Sequence, residues 1–376
     1  MYRPELLEEL IWLVTIGFVD MQTSKCGRFM VFKYTEKCNE ENGWETYPNT
    51  RTARGIVFDG DGNIIARPLD KFFNFCERPE TNLTALPMNT TGYAFEKFDG
   101  SCVFSYIDGD TVRLATFGSF ESEQAQRAQK ILHHKYPELI NYILNDPAIT
   151  WIFEVIYPEN HIVVDYGDTE DIVLLAQRYL TGTEVHPSSV SHTAERLGLR
   201  YPKVLSVTRD DLQHMIHEPN TEGWVIWFDG GLRVKIKSDD YVQSHRLLPF
   251  ITPKRIIKLM MGTAVDWKGE PISYQEVYAN LNPMLRKDMD DITSNIRQRI
   301  AFKDDAILKA YSQVKDKPRK MAAKWLKNNV DALSMAGAFA KLDGKTYRNA
   351  VCDSVMDDIK RERKAAIAAG IAEYEA

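Results

Sequence analysis

The sequence predicts an α+β fold in two parts: antiparallel sheets within residues 1–246 and an all-α segment over residues 247–376. Three observations predict it. Short apolar runs from residue 28 onward are punctuated by Asp/Gly turns at 60–63, 99–100, 108–110 and 229–231, which is the pattern of hairpins. After Leu247-Leu248-Pro249, glycine thins out and apolar residues fall at helical spacing. Charge reverses at the same place: residues 1–246 hold 24 Lys and Arg against 36 Asp and Glu, and residues 247–376 hold 23 against 17.

Residues 4–18 read as one amphipathic helix, and short strands begin at residue 28. Residues 54–59 run into Gly60-Asp61-Gly62-Asn63 and return through 64–75 as a hairpin. A strand over 93–98 ends at Asp99-Gly100, and residues 102–107 and 111–117 flank Asp108-Gly109-Asp110 as a second hairpin. Residues 121–136 have helical composition, 150–157 and 171–180 are buried-strand candidates, and 189–199 form a short capped helix. A third hairpin spans 224–237 around Asp229-Gly230-Gly231. Helices are expected over 254–261, 284–302, 305–314, 319–341 and 346–374, with a domain boundary near residues 246–250.

Composition narrows the class. With 27% charged and 44% hydrophobic residues the chain has a globular balance, which excludes disordered and collagen-like structure. No apolar run approaches the ~18 residues of a membrane span, and acids interrupt the apolar N-terminus at helical spacing, unlike a secretory signal. Five cysteines (Cys26, Cys38, Cys76, Cys102, Cys352), none in a C-x-x-C pair, argue against a disulfide framework or cysteine-rich zinc site and for a reducing cytoplasm. There is no Walker A loop, no G-x-G-x-x-G, no H-E-x-x-H and no serine nucleophile elbow. His133-His134, His214 and His217 read as solvated helix residues.

One set of residues stands apart. Lys97 closes a strand just before Asp99-Gly100-Ser101. The pattern K-x-D-G means little alone, because Lys341-Leu342-Asp343-Gly344 repeats it with only helical sequence behind it; that second copy reads as a helix-terminating turn. The sequence downstream of Lys97 is different. Glu154 lies inside the apolar strand Ile152-Phe153-Glu154-Val155, where a carboxylate must be paired or face a site. Glu222-Gly223 opens another strand. Lys235 and Lys237 then fall two apart, on one strand face, where two like charges repel unless an anion lies between them.

This ordered set resembles the covalent nucleotidyltransferases, and most closely the phage RNA ligase 1 family of tRNA-repair ligases. Further likeness lies at Arg54-Gly55-Ile56, Arg67 to Asn74, Ser122-Glu123-Gln124-Ala125 and Lys235 to Asp239, covering roughly residues 28–246. The resemblance implies an adenylyltransferase domain over 1–246, with an ATP pocket between antiparallel sheets, and an α-helical RNA-specificity domain over 247–376. It implies that Lys97 takes AMP from ATP, that AMP passes to an RNA 5′-phosphate, and that an RNA 3′-OH then expels it. Asp99, Gly100 and Ser101 complete the lysine motif. Glu154 matches a ribose contact and Glu222 a metal-associated acid. Arg54 and Lys71 match phosphate contacts, Tyr34 a nucleotide-contacting tyrosine, and Asp266 an acid implicated with metal. Lys235 and Lys237 match the cations placed against the α-phosphate, and with bound Mg²⁺ (or Mn²⁺) they are expected to depress the Lys97 pKa. The implied partners are 5′-phosphate and 3′-OH RNA ends, tRNA among them, and a polynucleotide kinase–phosphatase. The implied enzyme is a cytoplasmic monomer, in the host cytoplasm if phage-encoded, without membrane association.

One departure is visible. The family carries a lysine before Gly-Ser where this chain has Phe117-Gly118-Ser119. Phe117 is expected to serve packing; either another cation compensates, with Arg113, four residues earlier on the same strand face, as the first candidate, or this branch has altered substrate handling or a weakened step. A DNA ligase, a GTP-using capping enzyme and a nucleic-acid-binding relative without chemistry remain the alternatives. In the tail, Lys309, Lys315, Lys317, Arg319, Lys320, Lys324 and Lys327 face the single acid Asp316 over that stretch. That cluster is the expected RNA-binding surface.

Overall fold

The computed structural model describes residues 1–87, 91–160, 162–217 and 221–368. The chain divides into two compact units, Met1–Val242 and Gln243–Ala376. The division falls a few residues before the boundary expected from sequence, inside the helix Asp239–Leu247.

In the first unit the strands are β1 (Val19–Thr23), β2 (Phe29–Tyr34), β3 (Arg54–Asp59), β4 (Ile64–Ala66), β5 (Phe73–Asn74), β6 (Gly92–Glu96), β7 (Ser101–Asp108), β8 (Thr111–Thr116), β9 (Ile149–Ile156), β10 (Asp171–Tyr179), β11 (Val204–Val207), β12 (Gly223–Trp227) and β13 (Arg233–Lys237). They form three sheets, ordered β1-β2-β3-β4, β10-β9-β7-β8 and β11-β6-β12-β13-β5. Every pairing is antiparallel except the short β13–β5 contact.

Alternation along β3 shows how the first two sheets pack. Ile56 and Phe58 face the helix Pro4–Thr15 with its Leu6, Leu10 and Leu13, while Val57 faces the second sheet at Phe104, Ala115 and Ile152. The second sheet buries its other face, Trp151, Phe153 and Val155 of β9, under helices Glu123–Lys135, Pro137–Asn145 and Pro187–Leu197. The third sheet buries Ala94, Trp224, Ile226, Val234 and Ile236 with Leu86, Leu212 and Met215. Period two then sends the intervening residues of β9, β12 and β13 to the opposite faces.

The second unit consists of helices Pro253–Met260, Tyr274–Ala279, Pro283–Val314, Arg319–Asn329, Ala332–Leu342 and Arg348–Ala368. Two expected helices, 284–302 and 305–314, are one 32-residue helix. The acids at the expected break are paired in place, Asp304 through Oδ2 with Arg348 and Asp305 with Lys309 one turn on. Conversely, 319–341 splits at Val330, because Asp331 caps the next helix by accepting from the Ser334 N–H at 2.9 Å. Lys341-Leu342-Asp343-Gly344 ends that helix, with Gly344 at φ +67°. All five cysteines are free, and among the described residues no helix is long and apolar enough to cross a membrane.

Candidate active site

The Lys97 N–H donates to the Gly223 carbonyl at 2.9 Å, which fastens the end of β6 to the start of β12. Glu222 immediately precedes that point, and Lys237 pairs with Gly223 across the β12–β13 hairpin. The hairpin therefore delivers a carboxylate and a second ammonium to Lys97. Lys97 Nζ donates to Glu222 Oε2 at 2.5 Å, and Lys237 Nζ lies 3.0 Å from Glu222 Oε1. Gly223 sits at φ +134°, and a Cβ there would come 2.0 Å from the Ile236 carbonyl oxygen, so only glycine closes the hairpin this tightly.

Lys97 opens onto a cavity of about 250 Å³ whose walls include Arg54, Phe72, Glu96, Cys102, Glu154 and Arg233. Glu154 reaches it because β9 alternates: its neighbours Phe153 and Val155 take the helix-covered face. The residue is only 8% exposed. Burial pushes its carboxyl up from 4.5 to about 7, against the pull of Lys97 and Arg54. Lys235 moves the other way. Burial, and then the charges of Lys71, Arg54, Lys97 and Lys237, push its ammonium down from 10.5 to about 7.

Around these groups stand further cations on aromatic rings. Arg54 donates from Nη1 to the Leu69 carbonyl at 3.1 Å, and its Cζ lies 4.2 Å from the Phe117 centroid and 5.1 Å from that of Phe72. Lys71 Nζ is enclosed by Tyr34, Trp44 and Phe73, at 5.2, 5.5 and 5.3 Å from their centroids.

The turn after Lys97 is a rigid frame. Asp99 is 2% exposed; its Oδ2 accepts from the Val163 and Val164 N–H groups at 2.7 and 2.9 Å, and its Oδ1 from Tyr241 Oη at 2.8 Å. At Gly100 a Cβ would come 2.5 Å from the Val155 carbonyl oxygen. Ser101 Oγ bonds the Asn160 side-chain amide at 3.0 Å and begins β7. These three residues fix the turn that follows Lys97.

A family described as RNA ligase matches this chain over residues 52–241, half of its length. The chain belongs to the RNA ligase family, of the phage RNA ligase 1 type. A provisionally named RNA ligase of Thermovibrio ammonificans is 27% identical over 317 residues, covering 77% of this chain and 77% of that one. The RNA ligase of Rhodothermus phage RM378 is 22% identical and covers 85% of this chain and 86% of its own. Among solved structures, an archaeal ATP-dependent RNA ligase superposes with a TM-score of 0.51 at 12% identity, over 79% of this chain and 82% of that one, which is a likeness of fold.

In this RNA ligase family member the structure brings Lys97, Glu154, Glu222, Lys235, Lys237 and Arg54 together, with Tyr34 and Lys71 paired beside them. Asp266 lies in the other unit, where its Oδ1 accepts from the Lys268 and Glu270 N–H groups at 2.8 and 2.9 Å. Among the described residues no three His, Cys, Asp or Glu side chains gather as a metal cluster.

Two expectations are corrected. Lys97 is not depressed by Lys235 and Lys237. Burial would lower its pKa, but the charges of Glu222 and Glu154, the hydrogen bond to Glu222 and the charge of Asp99 outweigh it, so its pKa stands above the ordinary lysine value. The depressed lysine is Lys235. Arg113 does not line the Lys97 cavity. It is exposed on β8 and lines a separate groove with Ser24, Cys26, Asp108 and Lys130. β8 ends at Thr116, so strand alternation does not carry from Arg113 to Phe117.

Sequence reasoning does not single out Arg233, Phe72 or Tyr241. Arg233 did carry a signal: it lies two residues before Lys235 on the same strand face, and it pairs with Glu184 at 2.5 Å. Tyr241 had no local signal, since its partner Asp99 is 142 residues away.

Proposed function

We propose that this chain is an ATP-dependent RNA ligase that joins 5′-phosphate and 3′-OH ends through AMP carried on Lys97. The observation that supports it is the bridge Lys97–Glu222–Lys237 beside a cavity containing Glu154 and Arg54. Lys97 must first leave Glu222 Oε2, 2.5 Å away, and lose a proton to solvent. The neutral Nζ then attacks the α-phosphorus of ATP. The N–P bond forms, the P–O bond to the β-phosphate breaks, and pyrophosphate leaves with the electron pair. Lys235, Lys237 and Arg54 oppose the charge that develops on the phosphates. Glu154, with its pKa near 7, has a protonated form that donates to a ribose hydroxyl and an ionised form that accepts from one.

In the second step an oxygen of the RNA 5′-phosphate attacks the same phosphorus, and Lys97 leaves and regains its proton. In the third, the RNA 3′-OH attacks the 5′-phosphorus and AMP departs. Magnesium commonly binds through one or two carboxylates, water and substrate phosphates. Glu222 fits such a partial donor set once a nucleotide supplies the rest. There the ion, Mg²⁺ or Mn²⁺, would neutralise phosphate charge.

The helical unit is assigned to RNA selection, with tRNA repair as the setting and a kinase–phosphatase preparing the ends. The chain is assigned as a cytoplasmic monomer. Incubation with α-labelled ATP, followed by RNA and DNA ends in parallel, tests the reading. Label on Lys97 and sealing of RNA are expected. An unlabelled protein, or sealing of DNA alone, overturns it.

A further inference from the structure

We infer that Phe117 is a positioning residue for nucleotide binding: its ring face holds the Arg54 guanidinium at the cavity wall. This rests on the proposed transfer of AMP to Lys97 and names a residue on which that site depends. Three contacts fix one guanidinium: the Phe117 ring at 4.2 Å, the Phe72 ring at 5.1 Å and the Leu69 carbonyl at 3.1 Å from Nη1.

The backbone is shaped to make this contact. β8 stops at Thr116, whose N–H donates to the Ser119 carbonyl at 2.9 Å, and the tight turn carries Phe117 against β3. There the ring stacks on Phe104, with centroids 6.3 Å apart and planes 18° apart. Gly55, next to Arg54, makes the room. It sits at φ +94°, and a Cβ on it would come 2.8 Å from Phe117 Cδ1 and 2.7 Å from Phe104 Cε1. Arg54-Gly55 and Phe117 therefore act as one device: glycine admits the ring, and the ring holds the arginine.

The physical gain is preorganisation. A guanidinium stacks on an aromatic face as an ammonium does not. Fixing it before the triphosphate arrives removes an ordering cost from binding. A lysine at position 117 would add a cation but repel Arg54; phenylalanine gives up that cation and secures the one beside it.

The test uses the full chain and the rate of Lys97 labelling at varied ATP concentration. Phe117→Leu keeps an apolar side chain but loses the ring face. It should raise KM for ATP by roughly five- to thirtyfold, leaving kcat within about twofold and the unfolding midpoint near wild type. Phe117→Tyr should restore KM. In an Arg54→Ala background, Phe117→Leu should add little further loss, because the partner of the ring is gone. A wild-type KM for Phe117→Leu overturns the inference. So does a loss that falls on kcat and stability together and that tyrosine fails to rescue. If leucine prevents folding, Phe117→Met carries the same comparison. A wild-type chain that takes no label at all removes the adenylylation reading itself, and this inference with it. That result is distinct from a wild type that labels normally beside an unaffected Phe117→Leu.

Discussion

Lys97 and Glu222, 125 positions apart in sequence, meet with Nζ 2.5 Å from Oε2, and the same carboxylate holds Lys237 on its other oxygen. The proposed nucleophile is therefore stored as an ammonium. The charge and hydrogen bond of its partner keep the amine protonated, so the pair must open before Lys97 can act as a nucleophile.

The pH dependence of labelling should expose this pair. Lys97 stands above the ordinary lysine pKa of 10.5 because the charge and hydrogen bond of Glu222 are among the causes that outweigh burial. The neutral amine is scarce at neutral pH, so labelling in the wild type should climb through the alkaline range. Glu222→Gln removes those raising causes and leaves burial opposed by Glu154 and Asp99 alone, so the alkaline limb should move to lower pH even as the maximal rate falls. Lys97→Ala should take no label and Lys341→Ala should label normally. An unmoved limb in Glu222→Gln, or label mapped to Lys341, would contradict the assignment.

Glu154 should cost stability where it is ionised. Its folded pKa of about 7 lies above the ordinary value of 4.5. The folded chain thus binds this proton more tightly than the unfolded chain, and stability falls as pH rises from about 4.5 through 7. Glu154→Gln keeps the shape and removes the ionisation. It should stabilise the protein by on the order of 1–3 kcal/mol at pH 8, lose that advantage below pH ~4.5, and weaken nucleotide binding. Thermal unfolding at several pH values would decide; a variant no more stable at pH 8 would show that the carboxylate is fully compensated.

Much of this site was legible because strand alternation is a strict rule. It placed Lys235 and Lys237 on one face and singled out Glu154 among apolar neighbours, and the glycine turns marked the hairpins. The rest depends on contacts between distant segments. Val163, Val164 and Tyr241 converge on Asp99, and Trp44 and Phe73 close around Lys71, without any local pattern that announces it. The sign of the Lys97 shift was illegible for the same reason: sequence shows the neighbouring lysines but not that Glu222 lies against Nζ. Helix Pro137–Asn145 escapes notice because its short apolar run comes after another helix without a glycine between them. β1 escapes it because four of its five residues are exposed.

Nucleotide binding should be accompanied by proton uptake at Lys235. Its pKa of about 7 results from burial among cations, and a triphosphate brings negative charge to that cluster. The pKa must then rise, so binding at pH 8 draws a proton from the buffer. Calorimetric titration with ATP in buffers of different ionisation enthalpy should show uptake of up to about one proton. Lys235→Met should abolish most of it and weaken binding. Equal heats in all buffers would place the triphosphate away from this lysine.

The tail should supply RNA affinity through a small subset of its cations. Lys309 is paired with Asp305 at 2.7 Å and Arg319 with Asp343 at 2.5 Å, and Lys317 lies over the Trp325 ring. Lys320, Lys324 and Lys327 differ. They are exposed on helix Arg319–Asn329, which buries Ala322 and Leu326 instead, and none has an ion-pair partner among the described residues. Spacings of three and four put them on one face. A solvated helix face would look the same in sequence, so the discriminating quantity is salt dependence. Each phosphate contact to single-stranded RNA contributes about 0.7 to the slope of log affinity against log salt. Reversing all three charges to glutamate should therefore weaken RNA binding and flatten that slope by about 2. Lys97 labelling should persist, because none of the three lines the Lys97 cavity. The loss should be larger for a structured substrate such as a nicked tRNA loop than for short single strands, which engage fewer phosphates away from the reacting ends. Unchanged affinity and slope in the triple variant would make this helix a structural cap whose charge is incidental.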